Sequence, residues 1–131
     1  MPAPRRDPSR VAVRIDREVW REEVQRLDPR SPARNAAERE RRHLGQQGIA
    51  LGQLQRCAEL GGDQTRLAGL LKAYVPIAGS APSDRPFGMV FSPEPGPILA
   101  LVAFGERHPR TGTRSVYERA HKRLHGRYPD Q

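Results

Sequence analysis

The stretch Ile98-Leu-Ala-Leu-Val-Ala-Phe104 decides the fold. It is apolar at every position, so both faces of a strand built from it must be covered. It is therefore expected as the central strand of a sheet with elements packed on each side. Just before it, Ser92-Pro-Glu-Pro-Gly-Pro97 is a chain-reversing connection, and Phe87-Gly-Met-Val-Phe91 is the strand it joins. Residues 79–86, rich in Ser and Pro, form a loop. The segment 67–77 carries two readings. Leu67, Leu70 and Leu71 suit a short helix, whereas Ala73-Tyr-Val-Pro-Ile77 suits a strand.

Beyond the decisive strand, residues 105–113 are polar. Ser115 with Glu118 three positions on forms a capping box and predicts a helix. Val116, Tyr117, Ala120 and Leu124 would face inward, and Gly126 and Pro129 would close it. At the other end of the chain, Val11-Ala-Val-Arg-Ile15 is a short β-branched run that predicts a strand. Asp16 follows as an N-cap, and Val19, Trp20, Val24 and Leu27 recur at helical spacing up to Asp28-Pro29. Trp20 at that spacing is a core residue. Ser31-Pro32 starts a second helix with proline in its first position. Residues 33–44 are rich in Ala, Glu and Arg, with Gly45 and Gly48 as stop signals. Residues 49–60 read as further helix, with Leu51, Leu54, Ala58 and Leu60 apolar and Gly61-Gly62 ending it. The pattern leaves open whether 33–60 is one kinked helix or two. Residues 1–10 read as a flexible basic arm, 11–126 as one domain and 127–131 as a tail.

At 131 residues the chain allows one domain, which buries about two-thirds of its unfolded surface and needs no staple. Glycine and proline make 25 of 131 residues, below the composition of a disordered chain. The apolar runs are too short to span a bilayer, so no membrane partner is expected. Residues 1–10 contain no apolar core of a signal peptide. Cys57 is the single cysteine, fits a reducing cytoplasm, and is expected to pack as a small apolar side chain on a helix.

The formal charge is +8, and 21 of the 23 cations are arginine. Guanidinium is permanently charged and presents a planar fork of donors, which suits phosphates and carboxylates. The expected partner is therefore nucleic acid or an acidic protein segment. A GC-rich genome also over-supplies arginine, so position matters more than number. Residues 105–131 hold seven cations against three anions, half of the net excess in a fifth of the chain, together with His108, His121 and His125. Arg107 follows the end of the decisive strand, and Tyr117 falls in the first turn of the last helix. No P-loop, dinucleotide fingerprint or Ser-His-Asp pattern is present. His121 and His125 share a helix face, but no glutamate follows His121 as a zinc motif would require, so no metal and no cofactor is expected. The plain alternatives are an ion-paired Arg107, a packing role for Tyr117, and a solvated face formed by Arg119, Lys122, Arg123 and Arg127.

The stretch Leu99-Ala-Leu-Val-Ala-Phe-Gly-Glu-Arg-His108, followed by Arg114-Ser-Val-Tyr-Glu-Arg-Ala-His-Lys-Arg-Leu124, resembles the C-terminal part of the RelE/ParE toxins of type II toxin–antitoxin systems. There, too, a hydrophobic strand runs into a Gly-x-Arg turn, and a Val-Tyr pair and an Ala-x-x-Arg-Leu-like helix follow. The specific part covers roughly a quarter of the chain. The resemblance implies an α+β fold: a small antiparallel sheet of about four strands, N-terminal helices packed on one face, and a short C-terminal helix. It implies, for the RelE branch, ribosome-dependent and metal-independent cleavage of messenger RNA through attack of the 2′-hydroxyl on the adjacent phosphate. Arg107 and Tyr117 match the family's arginine and tyrosine. His108 and Arg85 are the further catalytic candidates, and Lys72, Arg110, Arg114, Arg119, Lys122 and Arg123 the candidates for RNA contact. An acidic antitoxin would be the cognate partner. The stretch 87–91 carries no arginine where the family has one, Arg85 stands upstream, and Lys72 is the only lysine before it. The ParE branch, which poisons DNA gyrase without nuclease chemistry, is therefore the alternative, and a non-toxic nucleic-acid-binding protein of the same fold is the third.

Overall fold

The computed structural model describes residues 9–25, 27–75, 87–109 and 113–131. The expected loop over 79–86 with Arg85, Arg110, and all of the arm over 1–10 except Ser9 and Arg10 lie outside the described residues.

The elements run β1 (Arg10–Arg14), α1 (Arg17–Val24), α2 (Pro32–Gln47), β2 (Ile49–Ala50), β3 (Gln55–Arg56), β4 (Leu71–Val75), β5 (Phe87–Glu94), β6 (Ile98–Glu106) and α3 (Val116–His125). Each helix starts where its cap chemistry places it. The Asp16 carboxylate accepts from the backbone N–H groups of Glu18 and Val19, and the Ser31 hydroxyl from that of Arg34. Ser115 and Glu118 complete both bonds of the capping box, and Gly126 ends α3 in the left-handed conformation at φ 77°. Arg34 donates to the carbonyls of Val24 and Leu27, holding the end of α1 against the start of α2.

The strands form one sheet in the order β2-β1-β6-β5-β4-β3. The α+β class stands, but the sheet is not a small antiparallel one of about four strands. It has six strands, and β1 runs parallel to β6, pairing Ala12 with Ile98 and Arg14 with Ala100. The relative direction of strands so far apart in the chain leaves no local pattern to read. The added strands β2 and β3 are two residues long, too short to show alternation. They replace the helix expected over 49–60. Leu51 and Leu60, which that helix would have buried, are 49% and 56% exposed. Gly48, at φ 65°, turns the chain out of α2, and a Cβ there would run into the Val11 carbonyl. The backbone of 49–56 is then satisfied at two sheet edges, against β1 and β4.

The two edge strands are neighbours in sequence. Ala50 and Gln55 can be at most about 18 Å apart, whereas six flat strands would separate the edges by about 24 Å. The sheet is therefore curled. Its inner face closes on Trp20 and Val24 of α1, Ala37 and Leu44 of α2, and Met89, Phe91, Leu99, Leu101 and Phe104 of the central strands. The Phe104 ring lies 5.9 Å from that of Trp20 and 5.8 Å from that of Phe87. The outer face carries a second core of Leu67, Leu70, Val90, Val102, Ala103, Val116 and Ala120 under α3. β6 is thus central and covered on both sides, as its sequence requires. Leu124 does not face inward: it is 45% exposed, while Arg119 and His121 are buried in its place. The segment 71–75 is strand, and Leu67 and Leu70 belong to the turn before it. Among the described residues no helix is long and apolar enough to cross a membrane.

Candidate functional site

A bulge in β6 determines where Arg107 sits. Leu101 pairs with Phe91 and Ala103 with Val90, so Val102 has no partner on β5. Strand residues alternate faces, and one extra residue inverts the alternation beyond it. Leu99 and Leu101 therefore face the inner core, yet Phe104 does so as well. Val102 and Ala103 both join the outer core, and Gly105 faces Val116 of α3. Arg107, two residues further, falls on the outer side, against α3.

There it lies across Gly88, where a Cβ would stand 3.0 Å from the Arg107 Cγ. Absence of a side chain at Gly88 lets the guanidinium reach the next strand, where it lies 3.8 Å from the centre of the Tyr74 ring. Its Nε donates to the Tyr117 hydroxyl at 3.0 Å. The Lys72 amine lies 5.5 Å from the centre of the Tyr117 ring. Lys72 and Tyr74 alternate with the inward Ala73 and Val75, so β4 presents both to the same side as Arg107.

Lys72, Arg107 and Tyr117 form one wall of a cleft of about 450 Å³, and Tyr74 and Gly88 support the arginine from behind it. The opposite wall is the loop 57–67, contributing Cys57, Ala58, Gly61, Gly62, Asp63, Thr65 and Leu67, and His108 closes one side. Cys57 is not on a helix; it follows β3, and burial pushes its thiol pKa up while Lys72 draws it down. The loop is internally built. Asp63 Oδ1 accepts from the backbone N–H and the hydroxyl of Thr65, and the Gly61 N–H donates to the Thr65 carbonyl at 2.8 Å. Asp63 carries the only carboxylate that lines the cleft among the described residues, and its Oδ1 is thereby occupied.

Of the candidates read from the sequence, Arg107, Tyr117, His108 and Lys72 meet here. The others lie elsewhere. Arg114 is bonded to Glu118 and Asp130 and stacks 4.2 Å from the Tyr128 ring centre, which ties residues 127–131 back to the start of α3. Lys122 approaches the same ring at 4.7 Å. Arg119, 7% exposed, is ion-paired with Glu23 of α1. Arg123 binds Glu22, Glu23 and the carbonyl of Val102, the bulge residue. β1 covers only the first part of β6, and beyond Ala100 this Glu–Arg cluster closes the open strand edge between α1 and α3. Arg119 and Arg123 are thus anchors of the helix that carries Tyr117. Arg85 and Arg110 lie outside the described residues.

Sequence reasoning missed Tyr74, Gly88 and the wall 57–67. Spacing could have found Tyr74, since a strand through Lys72 puts position 74 on the same face. The loop left no such trace. Among the described residues no group of three or more His, Cys, Asp or Glu is placed to hold a metal. Comparisons with protein families, curated proteins and solved structures give no match to this chain.

Chemically, the cleft presents two cations and a phenol, one of the cations in a planar fork. Such a group binds a phosphodiester and stabilises charge developing on its oxygens.

Proposed function

We propose that the protein is a toxin of the RelE kind, a ribosome-dependent endoribonuclease that acts in the cytoplasm and is held inactive by an acidic antitoxin. The observation that carries this reading is the convergence of Arg107, Tyr117 and Lys72 in one cleft, with the Arg107 Nε bonded to the Tyr117 hydroxyl. A ribose 2′-oxygen attacks the adjacent phosphorus, forming the O2′–P bond as the P–O5′ bond breaks. The 2′ proton leaves to a base and another proton reaches O5′. Arg107 and Lys72 stabilise the phosphorane oxygens, and Tyr117 orients the arginine and exchanges a proton. His108, at the cleft side, is a further acid–base group. The net charge of +8 suits both RNA and an acidic antitoxin segment.

One observation favours the gyrase-binding reading. On the cleft side β5 offers Gly88 and Val90, and no residue of the strand is a cation. Expression in cells with mapping of transcript ends separates the readings. Growth arrest with new transcript ends that vanish in Arg107→Ala supports the nuclease. Arrest with intact transcripts and inhibited supercoiling transfers the function to gyrase. Unimpaired growth leaves a binding protein without toxicity.

A further inference from the structure

The loop wall of the cleft is held to α3 at one residue, Arg66. The N–H of Arg66 donates to Nδ1 of His121 at 2.9 Å, and the carbonyl of the same residue lies 3.1 Å from Nε2 of His125. The two imidazoles are 4.4 Å apart, centre to centre. A third tie, from the Ser115 hydroxyl to Asp63 at 3.5 Å, is long. Leu67 and Leu70 bury the base of the loop in the outer core, but residues 58–64 are mostly exposed. The N–H of Cys57 donates to the Leu70 carbonyl at 3.0 Å and fixes the start of the wall, so the grip at residue 66 governs the position of the exposed stretch 58–64 opposite Lys72 and Arg107.

We propose that His121 is a positioning residue for the cleft and a pH-sensitive latch on its wall: neutral, it holds the 57–67 loop over Arg107, and protonated, it releases it. The two histidines are not equivalent. A proton added to His125 leaves its Nε2–H free to donate to the Arg66 carbonyl. A proton on His121 Nδ1 turns the acceptor into a donor that faces the Arg66 N–H, and the bond is lost. The surroundings oppose that proton. His121 is buried, and around it stand His125 on α3, Arg127 just beyond it and Arg66 on the loop, with Asp63 the one group among the described residues that favours the charge. Its pKa is accordingly lowered, first by burial and then by those neighbours, so the latch is closed at neutral pH and opens below the ordinary histidine range.

This inference holds whatever the cleft binds, and its test uses no RNA. The imidazole nitrogens of His121 and the amide of Arg66 are followed by NMR in the intact protein as the pH is lowered. The wild type should show the Arg66 amide losing its protection by about tenfold or more, with the midpoint of the His121 titration. His121→Asn places an amide oxygen where Nδ1 lies and cannot titrate, so its Arg66 protection should stay constant. Alkylation of Cys57, on the wall, gives a second reading. The ratio of wild-type to H121N rates cancels the pH dependence of the thiol and should rise on acidification. An Arg66 amide that ignores the His121 titration, or an H121N protein that responds to acid as the wild type does, overturns the latch.

Discussion

Arg107 and Tyr117 stand ten residues apart in sequence and are joined by a hydrogen bond of 3.0 Å, while the Arg107 guanidinium stacks on Tyr74 from another strand. Two elements, α3 through Tyr117 and β4 through Tyr74, thus fix one guanidinium. Its side-chain entropy is already restricted before any ligand arrives, which is what transition-state stabilisation requires.

Removing that group should disable the cleft without unfolding the protein. Arg107→Ala is expected to lower RNA cleavage by about 10²–10³-fold, the usual cost of one preorganised oxyanion donor. Arg107→Lys keeps the charge but not the fork or the stack, and should recover little of the loss. Tyr117→Phe deletes only the hydroxyl and tests the partner of the Nε. Cleavage rates beside circular dichroism of each variant decide between loss of chemistry and loss of fold.

Gly88 offers a subtler probe. A methyl at this position meets Cγ and Cδ of Arg107 at 3.0 and 3.3 Å and the Ala73 carbonyl at 3.4 Å, so the stem of the arginine has to shift. Gly88→Ala should change stability by less than about 1 kcal/mol, since the Arg107 side chain has to give by only a few tenths of an ångström. Cleavage should fall by a clearly larger factor, because the guanidinium leaves Tyr74 and Tyr117. Equal losses of stability and activity would contradict the placement.

The pair Glu23–Arg119 makes a prediction about stability. Both residues are buried, and Glu23→Ala leaves Arg119 in the interior without its counter-charge. A loss of about 3–5 kcal/mol is expected. The double variant Glu23→Leu with Arg119→Met removes both charges and should regain most of that loss. Urea unfolding of the single and double variants checks it.

Stability should also fall in mild acid. The His121 pKa is lowered in the folded protein, so the unfolded chain takes up a proton first as pH drops. The contribution is complete above about pH 6.5, the unfolded value, and is lost as pH falls through the folded one. Urea midpoints should decline across that window in the wild type and less in H121N.

What the sequence showed and what it hid follow one division. Signals confined to a few neighbouring residues were legible: the Asp16 and Ser31 caps, the capping box at Ser115, and the doubly covered β6. Arg107 and Tyr117 stood out by position, at the end of the last strand and in the first turn of the last helix, but the hydrogen bond that joins them left no local signal. The bulge at Val102 was not legible, because seven apolar residues in a row conceal which of them is extra. The helix expected over 49–60 failed for a related reason. Leu51, Leu54 and Ala58 fit a helical period, but the backbone there is satisfied by distant edges of the sheet. Arg119 and Arg123 read as a phosphate-facing surface because Glu22 and Glu23 lie on the first helix, about a hundred residues away. Charge patterns along one helix cannot show what a second helix supplies.

The central claim is that the Arg107–Tyr117 cleft cuts RNA. It is tested most directly by incubating purified protein with messenger RNA on purified ribosomes and mapping the 5′ ends and 3′ termini produced. The account predicts discrete cuts bearing 2′,3′-cyclic phosphates with the wild type and none with Arg107→Ala. Intact transcripts with folded wild-type protein, or the same cuts from the Arg107→Ala variant, would contradict it.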